Sequence, residues 1–149
     1  MPGVSINNET RFAYGKSRLA FSKIAKELLP DWEVSLVFVG PAKALSLNKK
    51  LRKKSYVPNV LSYVVGDKNC EIIICPSEAK KQAPAYGLTP SAYCLYLFIH
   101  GALHIKGWVH GVKMNKCEQK LVTKYGTENN HRHRHRDVPS KNGRSRRGV

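Results

Sequence analysis

Acidic side chains are scarce in this chain. Ten Asp and Glu stand against 26 Lys and Arg in 149 residues, a formal charge of +16 with histidine neutral. A small protein so unbalanced repels cationic partners and attracts polyanions, above all nucleic acid or an anionic membrane surface. Long apolar runs are missing as well. Nothing approaches the roughly 18 consecutive apolar residues of a spanning helix, so a membrane-spanning helix is excluded. Residues 1–16, MPGVSINNETRFAYGK, lack the apolar core of a secretory signal, which makes the cytoplasm the expected address. The four cysteines, Cys70, Cys75, Cys94 and Cys117, include no C-x-x-C pair and are expected to be reduced and mainly buried. No internal repeat is present. What remains is 42% hydrophobic residues in a length that suits one folded domain, which excludes disorder over the whole chain.

The charge is unevenly placed. Residues 1–126 hold 19 basic and 8 acidic side chains, a net of +11, and residues 127–149 hold 7 and 2, a net of +5. The second segment, TENNHRHRHRDVPSKNGRSRRGV, has no aromatic residue and two apolar side chains, Val138 and Val149. It cannot bury enough apolar surface to offset its ordering entropy, so a basic disordered tail is expected there, with residues 1–126 as the folded domain. Within that domain, residues 43–54 (KALSLNKKLRKK) concentrate Lys43, Lys49, Lys50, Arg52, Lys53 and Lys54 without an acid. A charge run of this kind is in itself no more than a solvated face.

Periodicity predicts a helix from Ser17 to Leu29, with Phe21, Ile24, Ala25 and Leu28 on one face and Pro30 beyond it. It also predicts strands at Glu33–Val39, Asn59–Val65 and Glu71–Cys75, and helices at Pro41–Leu51 and Pro76–Ala85. Thr89 is a good N-cap for a helix that runs to Ile105, apolar on most faces and therefore expected at the centre of the core. A last helix is predicted from Lys113 to Tyr125. Helices interleaved with a few short strands imply one α+β or α/β layered domain.

The domain's three histidines are clustered. HGALHIKGWVH places His100, His104 and His110 at H-x3-H-x5-H spacing. On a helix, positions i and i+4 share a face, so His100 and His104 can grip one cation, and Gly107 lets the chain turn back to bring in His110. Three imidazoles suit Zn²⁺ and leave a fourth position for water or substrate, the open coordination of a catalytic site. Histidines satisfied in the core, or one catalytic histidine with two bystanders, are the plainer alternatives. The H-E-x-x-H peptidase pattern is broken, because Gly101 stands where its general-base Glu would be.

These residues resemble the YbeY-type rRNA maturation factors of bacteria, metal-dependent endoribonucleases with a motif close to H-G-x-L-H-x-x-G-[YF]-D-H. His100, Gly101, Leu103, His104, Gly107 and His110 fall in register with it. A second block, L-N-x3-R followed by an N/D-V-L-S-F strand, is matched by Leu47, Asn48 and Arg52, then Asn59, Val60, Leu61 and Ser62, with Tyr63 in place of Phe. A third covers Ile72 to Pro76, and the likeness spans about residues 40–118. Two positions depart from the pattern: Val109 replaces the Asp before the third histidine, and Cys70-Glu71 replaces Gly-Asp.

The resemblance implies a compact α+β domain, a small mixed sheet of about four strands packed with about five helices, whose central helix carries two of the histidines. It implies one zinc ion on His100, His104 and His110, at the foot of a groove lined by Arg52. It further implies hydrolysis of single-stranded RNA, 16S rRNA 3′-end maturation and ribosome quality control, with rRNA and the small ribosomal subunit or its factors as partners. Arg52 is then expected to bind phosphate, Lys49, Lys50, Lys53 and Lys54 to hold the RNA backbone nearby, and Ser62 to line the groove. Val109 keeps open a non-catalytic, zinc-containing factor that binds rRNA. A zinc hydrolase acting on small molecules or peptides leaves the basic surface without a use.

Overall fold

The computed structural model describes residues 2–126; the basic tail expected at 127–149 lies outside the described residues. Four strands and five helices follow in order: β1 (Gly3–Asn8), α1 (Arg18–Leu28), β2 (Glu33–Phe38), α2 (Pro41–Arg52), β3 (Val60–Gly66), β4 (Asn69–Ile74), α3 (Pro76–Gln82), α4 (Pro90–Ile105) and α5 (Val112–Gly126). Short 3-10 turns occupy Gly15–Ser17 and Ala83–Tyr86. The predicted third helix therefore ends early. Pro84 has no N–H to continue the α ladder, and the chain tightens into the 3-10 turn instead.

The sheet order is β1-β2-β4-β3. β1, β2 and β4 run parallel, and β3 pairs antiparallel with β4 at the edge. Side chains alternate across the sheet, so each strand feeds two layers. Val34, Leu36 and Phe38 of β2 and Cys70, Ile72 and Ile74 of β4 face the larger core, shared with α1, α4 and α5. Val37 and Ile73, with Leu61 of β3, face the other way and are covered by Ala44 and Leu47 of α2. The result is one α+β domain with a mixed sheet between two unequal helical layers.

β1 is absent from the sequence reading. Its segment GVSINN has only two apolar side chains, and it lies half exposed at the edge of the sheet. It is a strand because it pairs with β2 across a helical crossover, a contact that local periodicity does not carry.

α4 is the buried central helix that the sequence predicts. The Thr89 hydroxyl accepts a hydrogen bond from the Ala92 N–H at 3.1 Å, which caps its first turn. Ten of its residues are buried, among them Leu95, Phe98, Ile99, Ala102 and Leu103. Where it crosses the sheet, a Cβ at Gly101 would lie 3.2 Å from Ile72 Cγ2 and 3.3 Å from Ser62 Cβ. Position 101 thus points at β3 and β4, and glycine lets the helix sit that close.

Candidate metal centre

His100 and His104 stand one turn apart on α4, and the geometry past Ile105 brings in the third histidine. The Gly107 N–H donates to the His104 carbonyl at 2.9 Å and the Trp108 N–H to the Leu103 carbonyl at 3.0 Å. These two bonds make a Schellman ending, with Gly107 in the left-handed region at φ +98°. The chain reverses there and returns His110 to the helix face it has just left. The three imidazoles each offer a ring nitrogen, and these nitrogens all lie within 4.8 Å of one another. Ring centroids are separated by 4.6 Å (His100–His104 and His104–His110) and 5.2 Å (His100–His110).

Their hydrogen bonds decide which nitrogens face inward. His100 Nδ1 donates to Glu118 Oε2 at 2.6 Å, and His104 Nδ1 donates to the Trp108 carbonyl at 3.2 Å. A carboxylate and a carbonyl only accept, so both Nδ1 atoms carry the proton and both Nε2 atoms present lone pairs. Those two Nε2 atoms face each other at 3.2 Å. Two acceptors at that separation have no donor between them, whereas a cation satisfies both. The donor set fits a metal ion. Burial first, then the neighbouring His100 and His110, hold His104 below the usual histidine pKa, which favours the neutral form that ligates.

Glu118 and Tyr96 extend the site inward. Glu118 is 3% exposed on the inner face of α5, where His100 is its hydrogen-bonded partner. The Tyr96 ring lies 6.3 Å from that of His100, and burial above all, then the Glu118 charge, pushes its phenol well up, so it stays protonated. Glu118 belongs to no motif of the sequence, yet it leaves a trace there. Met114, Glu118, Leu121 and Tyr125 share the buried face of α5, and an acid on such a face needs a partner.

The other expected site residues are dispersed. Ser62 of β3 lies against the α4 backbone at Gly101, one residue from His100. Lys49, Lys50, Arg52, Lys53 and Lys54 are exposed, at or just beyond the C-terminus of α2, whose Ala44 and Leu47 cover the sheet face opposite α4. Lys49 and Lys50 line a shallow depression with Ala42, Leu45 and Ser46. Arg52 Nη1 donates to the Tyr56 hydroxyl at 3.3 Å, and Lys43 pairs with Glu9. Asn48 is fully buried and donates to the Tyr56 carbonyl at 2.9 Å, pinning the 53–58 segment and so the direction in which Arg52 leaves the helix.

This histidine constellation coincides with a family match. The model of the family described as endoribonuclease YbeY matches residues 5–129. The chain belongs to the YbeY endoribonuclease family. It is accordingly an enzyme of the nuclease class. Among proteins it resembles, the YbeY endoribonuclease of Burkholderia pseudomallei (strain 1710b) is 26% identical over 141 residues, covering 87% of this chain and 77% of the relative. That of Neisseria gonorrhoeae is 32% identical over 112 residues, 68% of this chain and 64% of the relative. The solution structure of TM1509 from Thermotoga maritima shares the fold, with a TM-score of 0.64 at 21% identity over 93% of this chain and 99% of that one. Among the described residues no helix is long and apolar enough to cross a membrane.

Proposed function

We propose that this YbeY-family chain is a single-strand-specific endoribonuclease with one zinc ion on His100, His104 and His110, acting on rRNA at the 16S 3′ end and in ribosome quality control. The observation that carries the reading is the pair of inward-facing Nε2 atoms, each held by a proton acceptor on its Nδ1. Bound zinc supplies Lewis acidity toward a phosphoryl oxygen and brings the pKa of bound water toward about 7. The protein's own part is to fix the imidazoles. Glu118 and the Trp108 carbonyl set their tautomers, and the Gly107 turn places His110 at the exposed rim where a substrate arrives.

Arg52 is assigned to the RNA phosphate, since its planar fork matches two phosphate oxygens. Lys49, Lys50, Lys53 and Lys54 add backbone affinity around it. The rRNA-binding partner role extends to the small ribosomal subunit or its assembly factors. A second reading, a zinc-containing rRNA-binding factor without cleavage, rests on Val109, which is 78% exposed beside His110 where the family pattern has an acid.

Cleavage of a 3′-extended rRNA fragment, with and without chelator and with zinc restored, decides between them. Cleavage that stops with chelator and returns with zinc supports the nuclease. Tight RNA binding without cleavage in the zinc form supports the second reading.

A further inference from the structure

α5 carries a charge pattern that helix physics alone disfavours. Lys113, Lys116, Lys120 and Lys124 recur at i, i+3, i+7 and i+11, one exposed stripe opposite the buried Met114, Glu118, Leu121 and Tyr125. The first turn holds no acidic residue, although the positive end of the helix dipole favours one there, and Lys113 and Lys116 sit near that end instead. Lys116, Lys120 and Lys124 also repel at i, i+4 spacing. The one acid of the helix, Glu118, is buried beneath the stripe and committed to His100. Lys124 is paired with Glu27 at 3.3 Å, whereas Lys116 and Lys120 make no ion pair among the described residues. The basic end of α2 is different. Its Lys49, Lys50 and Arg52 lie in the last turn, where the dipole favours cations, so their placement opposes nothing in the helix.

The stripe also begins at the metal centre. α5 starts two residues after His110, and Lys113 Nζ stands 5.4 Å over the Trp108 ring, the residue whose carbonyl holds His104. From Lys113 to Lys120 the helix advances about 10 Å, the length of about three stacked nucleotides at ~3.4 Å each.

We propose that the outer face of α5 is a track for single-stranded RNA, with Lys113, Lys116 and Lys120 on three phosphates of one strand and the strand entering the histidine centre past Trp108. The track rests on the nuclease reading for its ligand and adds a surface to it. A polyanion there relieves the dipole penalty and the mutual repulsion together, whereas Glu27, paired with Lys124 and in electrostatic reach of Lys120, answers only the C-terminal end of the stripe.

The test uses the full chain, stripped of metal so that cleavage does not intervene, and a fluorescent oligouridine read by anisotropy over a series of salt concentrations. The triple variant K113Q/K116Q/K120Q is compared with K26Q/K80Q/K81Q, which removes the same charge from exposed positions on α1 and beyond α3's first turn. The expected result is binding weakened about tenfold or more in the α5 variant. Its slope of log K against log salt becomes shallower by about 2, at ~0.7 for each phosphate of a single strand that is no longer neutralised. The control keeps the wild-type slope, and the α5 variant melts no lower than wild type. Equal weakening in both variants, an unchanged slope in the α5 variant, or a lower melting temperature that shows the lysines serving the fold would each overturn the track. A wild type that binds no RNA sinks the nuclease reading as well, and is separable because it needs no variant.

Discussion

His100 and Glu118 meet at 2.6 Å between Nδ1 and Oε2, across the packing of α4 on α5 and almost sealed from water, at 13% and 3% side-chain exposure. The bond does two things. It satisfies a buried carboxylate, and it fixes the tautomer of a histidine whose other nitrogen faces His104. Replacing Glu118 by Gln keeps the shape and removes the charge. Zinc affinity should fall about 10- to 100-fold, as for other partners of ligating histidines, measured by competition with a chromophoric chelator. Wild-type affinity in E118Q would show that His100 needs no orientation.

His104 lies in the middle of the site, between His100 and the Trp108 carbonyl. H104A should lose stoichiometric zinc on metal analysis and all RNA cleavage with it. R52A, in contrast, should retain zinc and lose cleavage, because its side chain bonds to Tyr56 and to none of the histidines among the described hydrogen bonds. Unchanged cleavage by R52A removes Arg52 from the phosphate site.

Gly101 gives a test of the peptidase alternative. A Glu placed there meets Ile72 and Ser62 in the core and cannot reach the metal side of the helix. G101E should lower stability by about 3 kcal/mol or more, from overpacking and a buried charge, in a denaturant melt. It should gain no cleavage of a peptide panel. A stable G101E would mean that α4 stands further from the sheet than these distances require.

The thiols should be quiet. Burial pushes Cys70 up to about 11 and Cys94 up to about 12, and Cys117 is raised for the same reason first. Since only the thiolate attacks, a maleimide at neutral pH should leave Cys70 and Cys94 unmodified in the folded protein and label them after denaturation, read by mass spectrometry. Rapid native labelling of either would contradict its burial.

Which features are legible in the chain alone follows from the range of the forces involved. The helices and three of the four strands are readable because their apolar spacing is local, as in Phe21, Ile24, Ala25 and Leu28, all of which are buried. β1 is not, since GVSINN becomes a strand only by pairing with β2. The histidine trio is readable because two of its members lie one helical turn apart and the third follows a glycine turn, all within eleven residues of chain. Glu118 is eight residues further on, its role hidden in an ordinary amphipathic helix until α5 folds back on α4.

The excess of basic over acidic residues has the same division. The amino-acid sequence by itself determined the sign of the charge, the clustering of the three histidines and the absence of a peptidase base, because each depends on residue type and short spacing. Only the tertiary structure decided where the charge lies. It set α2, with its basic end, over the sheet face opposite α4 and ran a second basic stripe along α5 from the histidine centre. It also decided why position 101 is glycine and what holds His100. Those are meetings between elements distant in the chain, and packing rather than periodicity creates them.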